Sequence, residues 1–215
     1  MSHASLVHIP AGGMSIEGML ELPDTPRGLV LFAHGSGSSR HSPRNNYVAG
    51  VLRAAGIGTL LMDLLSPEED RDYARRFDIP LLTGRLLTAA EWVAQQAPTR
   101  ALPLGFFGAS TGAAAAIEAA ARLGDAARAV VSRGGRPDLA SAHALRTLRA
   151  PTLLLVGELD HVVIDLNQAA YALIECEKEL VIVPGATHLF DEPGTLEEVA
   201  RLAALWFSRY LPQQP

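Results

Sequence analysis

A chain of 215 residues with 48% hydrophobic and 19% charged side chains has globular composition, with enough apolar surface to offset the entropy of ordering. Its 18 Lys and Arg against 23 Asp and Glu leave a net charge of −5, which argues against nucleic acid as the default partner. The single cysteine, Cys176, excludes an intramolecular disulfide framework and a cysteine zinc cluster, and no run approaches the ~20 apolar residues of a bilayer span.

The first residues lack a basic region followed by a long apolar stretch, so no export signal is read there. The expectation is a soluble, cytoplasmic protein with residues 1–215 forming a single α/β domain, since such folds often pass 200 residues undivided. Residues 6–9 and 15–22, joined through Gly12-Gly13, read as an opening antiparallel pair. Residues 28–34 are almost wholly apolar, as a strand buried on both faces of a parallel sheet would be. Segments 57–61, 104–107, 129–131, 153–156 and 180–183 repeat the pattern, and flanking Gly and Pro favour strand over buried helix.

Helix signals fill the intervals. Ser42 is placed to cap a helix with Pro43 at its first position, Val48, Val51, Leu52 and Ala55 on one face, and Gly56 as terminator. Asp78-Ile79-Pro80 opens a second helix, with Leu82, Leu86, Ala90 and Val93 as its stripe. Residues 111–123 form an alanine-rich third helix that stops at Gly124. Cys176 is expected in a helix. Thr195-Leu196-Glu197-Glu198 reads as a capping box ahead of Val199, Leu202, Trp206 and Tyr210. The charged stretch 68–76 reads as a solvated excursion. Strand–helix alternation of this kind predicts a mostly parallel twisted sheet with helices on both faces, and leaves no room for a large cap domain.

The chemistry concentrates at strand ends. Gly108-Ala109-Ser110-Thr111-Gly112 follows an apolar strand and precedes a helix, the context of a nucleophile elbow. A sharp strand-to-helix turn brings the backbone too close for side chains beside the serine, and it exposes the hydroxyl where helix N–H groups favour an oxyanion. Two partners follow in chain order. Gly157-Glu158-Leu159-Asp160 puts a carboxylate past one strand, and Gly185-Ala186-Thr187-His188 puts an imidazole past the next. In this reading His188 takes the proton of Ser110, while Asp160 holds its tautomer and stabilises the imidazolium. Glu158 and Asp165 are rival acids.

A second oxyanion donor is expected from the loop after the first parallel strand, Ala33-His34-Gly35-Ser36-Gly37. The Ser36 N–H is assigned there, partnered by the Thr111 N–H. His34 reads as a buried hydrogen-bonding residue that shapes this loop. A rival exists, because Gly35-x-Gly37 with Asp63 after the next strand mimics a dinucleotide fingerprint. Arg40, however, stands where the third glycine belongs, and the helix begins only near Pro43. Arg40 is expected to bind an anionic group on the substrate, with Arg44, Arg133 and Arg136 as other candidates and loop bracing as the alternative role for all four. Neither HExxH nor paired-cysteine spacing occurs, so no metal and no cofactor is expected.

Taken together, His34-Gly35, Gly108-x-Ser110-x-Gly112, Gly157-x-x-Asp160 and Gly185-Ala186-x-His188-x-Phe190 resemble the α/β-hydrolase superfamily, and within it the small dienelactone-hydrolase-like members. The chain also resembles the hydrolase domain that some bacteria fuse to a phosphoribosyltransferase. Dienelactone hydrolases proper carry a cysteine nucleophile where this elbow holds Ser110. The resemblance implies a serine hydrolase that cleaves a small carboxylic ester or thioester through an acyl-enzyme. Its expected partner is a small-molecule acyl substrate, with neither nucleic acid nor membrane, and a homodimer is compatible with this reading. An acyltransferase and a catalytically silent binding module stay open as alternatives on the same scaffold.

Overall fold

The computed structural model describes residues 3–211. Eight strands form one sheet: β1 (His3–Ala11), β2 (Met14–Leu22), β3 (Leu29–Ala33), β4 (Gly58–Met62), β5 (Leu104–Ala109), β6 (Ala127–Arg133), β7 (Thr152–Gly157) and β8 (Lys178–Val183). Their spatial order is β1-β2-β4-β3-β5-β6-β7-β8. The β1–β2 and β2–β4 pairs are antiparallel, and every pair from β4 through β8 is parallel. This is the α/β architecture expected from the alternating pattern, with no large cap domain. All five residues of β3 and of β4 are buried, as are all six of β7, because helices cover both faces.

Six helices flank the sheet: α1 (Pro43–Ala54), α2 (Ile79–Gln95), α3 (Thr111–Leu123), α4 (Ala142–Thr147), α5 (His161–Leu173) and α6 (Thr195–Tyr210). Val48 and Leu52 of α1 join Val199, Ala203 and Phe207 of α6 in one core, against Val30, Phe32, Phe107 and Val131. The opposite core takes Leu82 and Leu86 of α2, Ala115 and Ile117 of α3, and Ala170 of α5, against Leu31, Leu60, Phe106 and Leu154. Successive residues of one strand therefore feed opposite cores, as the two-residue period requires. Phe32 and Phe107 stack across neighbouring strands with ring centroids 4.8 Å apart.

The caps at α1 and α2 follow the sequence. Ser42 Oγ accepts from the Asn45 N–H at 3.3 Å, and Asp78 Oδ1 accepts from the Leu81 N–H at 3.0 Å. Two expectations need correction. The N-cap of α6 is Gly194, in the left-handed region at φ 84°, so Thr195 is already helical and the capping box does not form. The Thr195 hydroxyl donates to Glu192 O at 2.7 Å instead. Cys176 lies past the end of α5, in the loop before β8, with Sγ donating to Ala150 O at 3.1 Å. The excursion after β4 comprises two short 3₁₀ turns, Glu69–Arg71 and Tyr73–Phe77.

Strand order also fixes where a site can form. After β3 the chain crosses through α1 to β4 on one side, then through α2 to β5 on the other. The carboxyl ends of β3 and β5 therefore meet at a topological switch point, where open α/β sheets gather functional groups. Among the described residues no helix is long and apolar enough to cross a membrane.

Candidate active site

Register puts Ala33 beside Gly108, so the loop after β3 runs alongside the elbow after β5. Ser110 has φ 50° and ψ −121°, one of two non-glycine residues with positive φ among those described. The strain is sustained by close packing on both sides. A Cβ on Gly112 would lie 2.2 Å from Ala33 O, and one on Gly108 would lie 2.4 Å from Ala113 Cα. These contacts leave room only for glycine, which is the crowding the sequence implied. The Ser110 N–H donates to Arg133 O at 3.3 Å, and its carbonyl accepts from Arg136 N–H at 3.0 Å.

Asp160 and His188 meet across the ends of β7 and β8. Asp160 Oδ2 lies 2.6 Å from His188 Nδ1, with the carboxylate side chain 15% exposed and the imidazole 38%. The other two acids do not take this position. Glu158 accepts from the Gly185 N–H at 2.8 Å, and no hydrogen bond or ion pair joins Asp165 to His188 among the described residues. Among those residues no hydrogen bond joins Ser110 Oγ to His188, a contact that catalytic dyads often complete only with substrate bound.

The two sides are linked by residues 132–136, which the sequence brought forward only for its arginines. Arg133 O receives the Ser110 N–H, while a Cβ on the next residue, Gly134, would lie 2.9 Å from His188 O and 3.6 Å from His188 Cε1. A paired glycine directly after a buried strand was the available signal for this packing. The second positive-φ residue, Phe190 at 57°, follows in the histidine loop, and the Arg133 guanidinium lies 6.0 Å from its ring centre. Arg133 is 6% exposed, and its Nη2 donates to Asn45 Oδ1 at 3.2 Å. Burial, reinforced by the nearby charge of Arg44, lowers its pKa to about 10, so it stays charged at neutral pH.

Ser36 and Thr111 line one cavity of about 10 Å³, together with His34, Gly35, Gly37 and Arg76, room for about one water. His34 fixes the loop. Its Nε2 accepts from the Leu64 N–H at 3.0 Å, so Nδ1 carries the hydrogen and donates to Gly35 O at 2.9 Å. Burial holds its pKa below the ordinary imidazole range. The unfolded chain therefore binds this proton more readily than the folded one. This contribution is intact above about pH 6.5 and is lost as pH falls below that value. Replacing His34 with leucine leaves a buried N–H without an acceptor. A loss of about 1–3 kcal/mol is expected by urea unfolding at pH 7.5, with a weaker stability decline toward pH 5.5 than the parent shows.

For Arg40 the geometry favours the bracing role over the substrate role. Its guanidinium pairs with Asp63 and Glu17, and its backbone N–H donates to Asp63 Oδ1 at 2.8 Å. With both terminal nitrogens committed, Arg40 ties the loop after β3 to β2 and to the end of β4. Arg40→Met should lower stability by about 1.5–3 kcal/mol, the worth of charged hydrogen bonds, and should scale anionic and neutral ester turnover equally. A thermal melt with paired substrates checks this. Arg44 and Arg136 are likewise held, by Asp191 at 3.1 Å and by Asp138 through two bonds of 2.8 Å.

The fold has close counterparts. A solved dienelactone hydrolase from Anabaena variabilis shares 50% identity and a TM-score of 0.94, covering 98% of this chain and 99% of that one. The chain belongs to the dienelactone-hydrolase-like branch of the α/β-hydrolase superfamily. The esterase domain of a Rhodothermus marinus protein superposes with a TM-score of 0.78 over 97% of this chain and 99% of its own, at 18% identity, which is a likeness of fold. A Mycobacterium tuberculosis protein provisionally named a phosphoribosyl transferase is 58% identical over 205 residues, 95% of this chain. The chain spans 46% of that relative's length. No family model matches the chain.

Proposed function

We propose that the protein is a serine esterase, with Ser110 as nucleophile, His188 as general base and acid, and Asp160 as the group that orients His188. The observation that carries the reading is the 2.6 Å Asp160–His188 contact, beside an elbow that holds Ser110 at positive φ. Ser110 Oγ attacks the ester carbonyl and gives its proton to His188 Nε2. The carbonyl oxygen becomes an oxyanion facing the Ser36 and Thr111 N–H groups, and the imidazolium is stabilised by Asp160. Collapse breaks the ester bond, and the departing alkoxide takes the proton from His188. Water then attacks the acyl-enzyme, passing a proton to His188, and the carboxylic acid leaves as Ser110 is reprotonated.

The transferase name of the mycobacterial relative we assign to the part of that protein outside the shared 205 residues, because the shared part has hydrolase ancestry. A fluorophosphonate probe tests the proposal. Mass spectrometry should find one adduct, on the peptide containing Ser110, and p-nitrophenyl ester turnover should disappear with labelling. An adduct elsewhere, or turnover that survives complete labelling, overturns it.

A further inference from the structure

We infer that the substrate is a neutral ester with an extended apolar body, an alkyl or aryl acyl group of several carbons, in place of a small anionic lactone. This rests on the esterase reading above. Two independent features of the sheet edge carry it: the pairing of its charges and the placing of its exposed apolar side chains.

The arginines near the elbow are committed. Arg40 is held by Asp63 and Glu17, Arg44 by Asp191, Arg76 by Asp70 at 3.0 Å, and Arg136 by Asp138. Arg133 makes no direct ion pair among the described residues, but it is buried, bonded to Asn45 and within the field of Asp191. An anionic substrate would therefore have to displace a carboxylate already in place, and it would approach a chain of net charge −5. Of the carboxylates beside the histidine, Glu192 is engaged by Thr187 N–H and Oγ1, and Glu158 by Gly185 N–H.

The exposed apolar side chains tell the complementary part. Among the described residues eight large hydrophobic side chains are exposed: Leu6, Tyr47, Tyr73, Phe77, Leu159, Val162, Leu189 and Leu205. Leu159, Val162 and Leu189 stand within two residues of Asp160 or His188 in the chain, and Tyr73 and Phe77 share a turn with Arg76, all at 40–71% exposure. Leu159 precedes Asp160, and its N–H donates to Ala186 O of the histidine loop at 2.9 Å. Val162 is in the first turn of α5, and Leu189 follows His188. Tyr73 and Phe77 pair with ring centroids 5.1 Å apart on a turn whose Arg76 reaches Gly37; a Cβ there would lie 3.4 Å from Nη1. In strand order the Tyr73–Phe77 turn follows β4, while Leu159 and Leu189 follow β7 and β8. The elbow after β5 lies between those strand ends, so exposed apolar side chains stand on loops to either side of it in strand order, and these are the two lips of the inferred site. Scattered exposed hydrophobics need no explanation, but a concentration of this kind at a site marks what the site covers.

The test is the kcat/KM of p-nitrophenyl esters from acetate to octanoate, with p-nitrophenyl hydrogen succinate compared with the butyrate of equal carbon count. Covering a methylene favours the transition state by up to ~0.8 kcal/mol, so the rise should be roughly 2- to 4-fold per methylene. The succinate should fall at least ~10-fold below the butyrate. Val162→Ser and Tyr73→Ser, at positions 71% and 69% exposed, should flatten the rise by lowering octanoate turnover more than acetate turnover, while Leu205→Ser on α6 should leave the slope unchanged. A flat length profile, a preference for the succinate, or an unchanged slope in both lip variants overturns the inference while leaving the esterase reading intact. Absence of turnover on every ester, with no label on Ser110, overturns the esterase reading and this inference with it.

Discussion

Ser110→Ala is expected to lower kcat for ester hydrolysis by about 10⁶-fold, the loss typical when the nucleophile is taken from a group of residues that acts as a unit. Activity should not fall to the uncatalysed rate. The Ser36 and Thr111 N–H groups would still stabilise an oxyanion formed by direct water attack, leaving about 10³–10⁴-fold over water. The variant should fold as the parent does, since the Ser110 contacts that hold the elbow are made by its backbone, to Arg133 O and from Arg136 N–H. Single-turnover kinetics with a chromogenic ester give the number, and equal melting temperatures exclude misfolding. A variant that retains more than a tenth of the parental kcat would remove Ser110 from the mechanism.

The second large effect is expected at Asp160. Asp160→Asn should cut kcat by about 10⁴-fold with little change in KM, because the amide presents an N–H to His188 Nδ1. The ring then keeps its hydrogen on Nε2, the atom that has to accept from Ser110. An asparagine also cannot stabilise the imidazolium. The contrast with the neighbouring acids makes the test specific. Glu158→Gln loses a loop contact to Gly185, and Asp165→Asn alters a residue with no hydrogen bond or ion pair to His188 among those described, so both should retain most of the activity. If Glu158→Gln or Asp165→Asn is the inactive variant and Asp160→Asn is not, the acid has been misassigned.

Much of this is legible in the amino-acid sequence, for reasons that differ by element. The buried strands announced themselves because helices on both faces exclude charged side chains and leave little place for polar ones; β3, β4 and β7 are buried at every residue, with Thr59 and Thr152 as the polar members. The elbow was readable because its glycines are a steric requirement, met here by approaches of 2.2 and 2.4 Å to backbone atoms. Caps at Ser42 and Asp78 were readable because each is a local contact within four residues. The same local logic failed at Thr195. A glycine one residue earlier can enter the helix through the left-handed region, and that option outcompeted the side-chain cap.

The sequence by itself determined the order of the chemistry along the chain: a loop for an oxyanion, a serine elbow, a carboxylate and an imidazole, each after a strand. What it could not determine was pairing across distance. Whether Asp160, Glu158 or Asp165 reaches His188 depends on the β7–β8 register and on Leu159 N–H closing onto Ala186 O, contacts some 27 residues apart in the chain. Whether Arg40 meets a substrate or a carboxylate depends on Glu17 and Asp63 arriving from β2 and β4, which only the sheet order brings beside it. Composition and spacing record which groups are present. The partner of a charged side chain is chosen by the fold, because burying a guanidinium without a partner costs more than any local preference can offset.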